Sequence, residues 1–176
     1  MLARLFRPRP AKARAEAVYL SLTRQARRPE LYGALGAPDT NEGRFEIYAL
    51  HLAVVLRRLK RQGGEAEELS QALFDRFVRG LDDAMREMGV GDLSVGKKMR
   101  KLGEQLYGRL KRYDEALDAE DETLLDPLLE RTVFAGVDSP DPQPLAAYAR
   151  SADAAFASAP LETLFAGDLP WPPIRS

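Results

Sequence analysis

Apolar residues recur every three or four positions along almost the whole of this chain, and nowhere do they alternate with polar ones over the length of a strand. That period belongs to helices that bury one face, so it excludes sheet architectures before any motif is considered. The longest stripe, Val95, Met99, Leu102, Leu106, Leu110, Tyr113 and Leu117, predicts one helix over 95–117. Others predict helices over 11–27 (Val18, Leu22, Ala26), 43–62 (Phe45, Tyr48, Leu52, Val55, Leu56, Leu59) and 66–88 (Leu69, Leu73, Phe77, Leu81, Met85, Met88). Shorter helices are expected over 123–134, 145–157 and 160–165, with Pro127 confined to a first turn. Pro29, the Gly33–Thr40 stretch, Gly63-Gly64 and Gly89–Asp92 punctuate the series, and Thr40 or Asn41 is the expected cap of the second helix.

The expected fold class is therefore all-α: a single-domain bundle of about five to seven helices with a proline-rich tail, Leu169-Pro-Trp-Pro-Pro-Ile174. Composition divides the chain into a basic arm over 1–14, a helical core over 15–136 and an Ala/Pro-rich acidic extension over 137–176, joined through Pro140, Pro142 and Pro144. The net charge of −1 conceals this gradient. Residues 1–28 hold eight Lys/Arg against one acid, 29–112 hold 15 against 13, and 113–176 hold 3 against 13. The two ends thus suit different partners, or each other.

With 176 residues, no cysteine and one histidine, the chain has no means of making a disulfide, an iron–sulfur cluster, a thiolate zinc site or a cysteine nucleophile. His51 alone builds no multi-histidine metal site, and no acid pair has a spacing that singles it out: Glu67-Glu68, Asp82-Asp83 and the acids of 118–122 read as solvated faces. No catalytic residue, metal or cofactor is expected. The most apolar run, 49–56, falls far short of the ~20 residues that cross a bilayer, and the N-terminus lacks the apolar segment of a secretory signal.

Gly91-Asp-Leu-Ser-Val-Gly96-Lys97 has the spacing of a phosphate-binding loop, but Lys98 stands where magnesium needs a hydroxyl, and the preceding residues are helical rather than a strand. It reads as an interhelix turn. His51 has two readings: an axial haem ligand or polar contact in a groove, or a histidine bonded to a neighbouring helix. The second is preferred, since nothing else supplies a second haem-ligand pattern. Arg44 and Glu46 are either a charged cluster facing a ligand or ion-pair residues of a first turn. Arg57, Arg58, Lys97, Lys98, Arg100 and Lys101 form a basic surface in two runs. The second run opens a helix, where positive charge asks for an anionic partner: the chain's own acids, RNA or acidic lipid. Few aromatics interleave, which argues against sequence-specific nucleic-acid readout. Gly80, Gly103 and Gly108 interrupt good helices, and Gly103, beside the Leu102/Leu106 stripe, suits a close helix crossing.

Between Arg27 and about Phe134 the chain resembles the ubiquinol–cytochrome c chaperone family. The resemblance is carried by Arg28-Pro-Glu-Leu-Tyr32, Gly36-Ala-Pro-Asp-Thr-Asn-Glu-Gly-Arg-Phe-Glu46, Leu50-His51 through Leu59, Leu73-Phe-Asp75, Arg86-Glu-Met-Gly-Val-Gly-Asp-Leu-Ser-Val-Gly-Lys97 and Tyr107-Gly-Arg109. The resemblance implies a non-enzymatic assembly chaperone for respiratory complex III, binding cytochrome b or another component of that complex, together with a small partner protein. It also implies contact with the ribosome or an anionic membrane surface. The family-matching polar residues Arg44, Glu46, His51, Asp92, Lys97, Tyr107 and Arg109 become the candidate client or partner contacts, with an apolar groove between the second, third and fourth predicted helices as the client site. The short N-terminus fits a member of the alphaproteobacterial type, cytoplasmic and peripheral at the inner membrane. The rival expectations are a haem- or small-ligand-binding protein centred on His51, and a ribosome or RNA adaptor using the basic residues.

Overall fold

The computed structural model of the protein describes residues 10–87, 89 and 92–175, and every regular element among them is helical. In chain order these are α1 (Pro10–Ala26), α2 (Pro29–Tyr32), α3 (Asn41–Leu59), α4 (Gly64–Glu87), α5 (Asp92–Asp118), α6 (Leu125–Arg131), α7 (Gln143–Ser158) and α8 (Leu161–Phe165). A 3-10 turn, Glu122–Leu124, leads into α6.

The extra element relative to the expected five to seven is α2. Arg28, which precedes Pro29, is extended (φ −62°, ψ 127°), because a proline disfavours helical backbone in the residue before it. Pro29 then starts a new turn at its first position, where the missing N–H costs nothing, and that turn buries Leu31. The helix expected over 123–134 is likewise shorter, ending at Arg131, although Pro127 does lie in its first turn. The Gly89–Asp92 region joins α4 to α5, so the loop-like glycine motif has no strand before it among the described residues.

The organising element is α3. Thr40 caps it, its Oγ1 accepting from the Gly43 N–H at 3.0 Å. Gly43 itself is obligatory: a Cβ there would lie 2.1 Å from the Pro38 carbonyl oxygen. From Ala49 to Val55 every residue of α3 is buried, because α1, α4, α5 and α7 all pack around it. A helix apolar on all sides is a core helix. The predicted stripe described only one of its faces.

Against α4, α1 buries Ala15, Val18, Leu22 and Ala26. Their close approach occurs at Gly80, where a Cβ would lie 2.2 Å from the Tyr19 hydroxyl; Gly103, expected to serve that purpose, has open space beside it. Arg76 completes the joint, its guanidinium 3.9 Å from the Tyr19 ring centroid and bonded to Glu16. The acidic C-terminal third folds back onto the helices before it. Leu145, Ala146, Ala149, Ala152 and Phe156 of α7 are buried, and the three alanines let α7 lie close on α3. Beyond α8, Trp171 of the proline-rich tail packs between His51 and Phe156, with ring centroids 5.0 and 4.6 Å away.

Candidate functional site

α3 and α5 lie side by side through Leu106 and Tyr113, both fully buried. A charged cluster stands at each end of this seam. At one end, Arg57 of α3 donates to Asp114 (2.9 Å) and Asp118 (2.9 Å) of α5 and to Asp153 (3.0 Å) of α7. It also reaches the Asp114 carbonyl at 3.2 Å. Lys60 bonds the second oxygen of Asp114. Burial pushes the Asp114 carboxyl up, but Lys60 and Arg57 together outweigh that and hold it low; Asp153 has Arg57 alone, and burial leaves it raised.

At the other end, Glu46 of α3 accepts one hydrogen bond from Arg109 Nη2 of α5 at 2.6 Å. Glu46 is 7% exposed, and burial raises its pKa even though Arg109 and Arg112 pull it down. Its Oε2 and the Nε of Arg109 are buried without hydrogen-bond partners among the described residues. Between the two ends His51 is 1% exposed. Its Nδ1 lies 2.7 Å from the Ile47 carbonyl, which only accepts, so the proton sits on Nδ1. Nε2 then accepts from the Tyr148 hydroxyl at 2.9 Å, and Gln25 donates to that hydroxyl at 2.9 Å. Burial depresses the His51 pKa to about 4, so the ring is neutral at ordinary pH.

Two open grooves flank α5 where α4 crosses it, each of about 720 Å3. One is walled by Phe45 and Tyr48 of α3, Leu81 and Met85 of α4 and Leu102 of α5, with Glu46 and Arg109 in its lining. The other has Leu56, Leu59, Phe74 and Leu110 as its apolar surface and Tyr107, 69% exposed, at its mouth. Its rim mixes Lys60, Arg61 and Lys111 with Glu67, Asp114 and Glu115. Both present apolar walls with charged edges, the surface an amphipathic helix or a chain with apolar side chains would cover.

Of the residues singled out in the sequence, Arg44, Glu46 and Arg109 come together at the first groove and Tyr107 belongs to the second. Arg44 bonds Asp39 at 2.5 Å and lies 5.6 Å from the Tyr32 ring centroid. His51 is in neither groove, and its ring nitrogens face Ile47 and Tyr148 of α7, in keeping with the preferred reading of a histidine bonded to a neighbouring helix rather than a haem ligand. Arg57 is not part of an open basic surface, since three carboxylates occupy it, and Arg58 donates to the Ala159 carbonyl at 2.8 Å. Arg100 and Lys101 are exposed on α5. The side chains of Asp92, Lys97 and Lys98 lie outside the described residues. Tyr148, Trp171, Asp114 and Asp153 are partners that spacing does not reveal, because they meet α3 from far along the chain. The groove wall did leave a trace: the α4 stripe runs on through Leu81 and Met85 after its buried part, Leu69 to Phe77, has ended.

These features define a helical protein with open amphipathic grooves, no cluster of metal-binding side chains among the described residues, and no described helix long and apolar enough to cross a membrane. The sequence profile of the ubiquinol–cytochrome c chaperone family matches residues 33–171, so the chain belongs to that family. The match takes in α7 and the Trp171 tail, beyond the Phe134 limit of the resemblance read from individual residues. The crystal structure of the Cbp3 homolog from Brucella abortus superposes with a TM-score of 0.85 at 32% identity, covering 99% of this chain and 98% of that one. It places the chain with the alphaproteobacterial type. Ubiquinol–cytochrome c reductase complex assembly factor 1 of Xenopus laevis is 22% identical over 111 residues, 63% of this chain and 56% of that protein. The mouse protein of the same name is 26% identical over 123 residues, 70% and 41% respectively. The chain thus spans about half the length of the curated relatives it matches.

Proposed function

We propose that this protein is a non-enzymatic assembly chaperone of ubiquinol–cytochrome c reductase whose client is cytochrome b, nascent or newly inserted. The observation that carries the reading is the pair of grooves between α3, α4 and α5, whose apolar walls stand open beside the buried core. A client segment destined for the membrane offers the apolar face such grooves would cover until its own partners arrive. Family membership supplies the reductase, and the name shared by the frog and mouse relatives points the same way. Glu46, Arg109 and Arg44 would contact the client at one groove and Tyr107 at the other. The exposed Arg100 and Lys101, with the basic N-terminal residues, would hold the protein in the cytoplasm against the anionic face of the inner membrane.

Deleting the gene tests this directly. Cytochrome b and the assembled reductase are expected to fall together, with cytochrome b recovered alongside the chaperone from the membrane fraction. Unchanged levels of both overturn the proposal. The rival haem-binding reading would require His51 to abandon either Ile47 or Tyr148 to reach a metal, which weighs against it.

A further inference from the structure

The second groove, at Leu56, Leu59, Phe74 and Leu110, is walled by the first half of α4, and α1 begins beside the same end of that helix. Arg14 of α1 fixes the neighbourhood. Its guanidinium bonds Glu65 in the first turn of α4 at 2.9 Å, and Pro10 stands one helical turn, ~6 Å, before it. The nine residues preceding Pro10, Met-Leu-Ala-Arg-Leu-Phe-Arg-Pro-Arg, lie outside the described residues. They hold three arginines and no acid, and Leu2, Leu5 and Phe6 have the i, i+3, i+4 spacing that apolar grooves accept.

The start of α4 makes a track from α1 to this groove. With residues set ~100° apart around a helix, Glu65 faces α1, Ala66 the core and Glu67 the groove, while Glu68 points outward between Glu67 and Glu65. Arg14 occupies Glu65, whereas the exposed Glu67 and Glu68 have no ion-pair or hydrogen-bond partner among the described residues. Elsewhere on the rim Arg57 and Lys60 are paired with Asp114, and Lys111 lies 3.8 Å from Glu115, which leaves Arg61 beyond α3 as the cation left over. The unmet charge on the α4 side is therefore negative.

The span fits. Nine extended residues reach ~30 Å, and rounding a helix ~10 Å across takes about 15 Å, or roughly half of them. Arg9 and Arg7 then fall along Glu68 and Glu67, and Phe6, Leu5 and Leu2 arrive at the apolar wall. Pro8 and Pro10 suit the crossing, since each disfavours helical backbone in the residue before it. The first groove is out of range, because its Leu81 and Met85 lie ~20 Å or more farther along α4 than Glu67.

We infer that residues 1–9 of this chain cross the start of α4 and cover the second groove, with Leu2, Leu5 and Phe6 on its apolar wall and Arg7 and Arg9 against Glu67 and Glu68. The tether holds the segment beside the groove at a millimolar effective concentration, so a modest contact suffices to close it and a stronger ligand displaces it. The groove thus carries its own cover. This docking goes beyond the chaperone reading and does not depend on which client that reading names.

The chain has no cysteine, so two introduced ones report on each other alone. The test uses full-length protein under mild oxidation in dilute solution. Ala3→Cys is combined either with Ser70→Cys, in the groove, or with Asp75→Cys, on the outward side of α4. Asp75 is exposed and Ser70 half-buried, so an undocked segment crosslinks at the outward position at least as fast. The expected result is an intrachain disulfide formed about fivefold faster with Ser70→Cys, and no faster than with Asp75→Cys once Leu5→Asp and Phe6→Asp are added. Comparable rates for the two pairs, or no effect of the two aspartates, overturn the inference; a segment that serves only an anionic membrane gives the first of these. Either failure leaves the chaperone reading in place, since that reading stands or falls on reductase levels after gene deletion.

Discussion

The two ends of the α3–α5 seam are built from the same residue types and finished differently. At the Arg57 end one guanidinium meets Asp114, Asp118 and Asp153 and ties α3, α5 and α7 together. At the Glu46 end one guanidinium meets one carboxylate by a single bond, and an oxygen and a nitrogen remain over. The saturated cluster looks after the fold; the unsaturated one sits where a groove opens. A charged residue's role in this protein is therefore read from how completely it is partnered, not from its sign.

The sharpest way to break the contrast is Arg57→Met. Removing the shared cation strands Asp153, leaves Asp114 with Lys60 alone and releases the exposed Asp118 to solvent, and stability should fall by about 3 kcal/mol, measured by urea unfolding at neutral pH. A loss below about 1 kcal/mol would show that the cluster is not holding the helices together.

The middle of the seam responds to acid. His51 has a folded pKa of about 4 against 6.5 when free, so the unfolded chain binds a proton first. Stability from the neutral ring is complete above pH 6.5 and is lost as pH falls toward 4, by about 3 kcal/mol in all. Raised carboxyls such as Glu46 and Asp153 act oppositely over the lower part of that range, so the clean comparison is with His51→Gln, whose unfolding should lack the histidine's portion of the slope. Identical slopes in the two proteins would refute it.

At the unsaturated end, Glu46→Ala alone should cost about 2 kcal/mol, since it leaves Arg109 buried without its carboxylate. Replacing both residues by leucine should recover most of that, to within about 1 kcal/mol of the starting protein. A double variant no more stable than the single one would mean the pair matters to the fold as Arg57 does. The smallest effect is expected at Tyr107, where 69% exposure leaves little to lose: Tyr107→Ala should change stability by less than about 0.5 kcal/mol and act, if the second groove holds a client, on reductase assembly alone.

Much of the fold was legible from periodicity. The long helices were expected within a few residues of where they lie, because a stripe repeating every three to four residues has few other ways to bury itself. The α2 turn was not, since four residues carry no period. Gly103 was assigned the close approach that belongs to Gly80, because an inserted glycine states that backbone freedom or space is allowed, not which neighbour uses it. For the candidate site, Glu46, Arg109 and Tyr107 were singled out through family-matching segments, but their grouping into two separate grooves was beyond reach. The first basic run misled: charge in a sequence carries no information about whether an acid 57 or 96 residues away already occupies it, as Asp114 and Asp153 occupy Arg57.

By itself the sequence determined the helical class, the positions of the main helices, the absence of cysteine and of any multi-histidine chemistry, and the family. These follow from local spacing and residue identity, which act over a few positions along one chain. Only the tertiary structure decided that α3 is buried on every side, that the acidic C-terminal third closes over His51 through Tyr148 and Trp171, and that Arg57 is saturated while Glu46 and Arg109 are not. Those outcomes depend on which helix faces meet. Burial and pairing are properties of contacts between distant segments, and no local pattern encodes them.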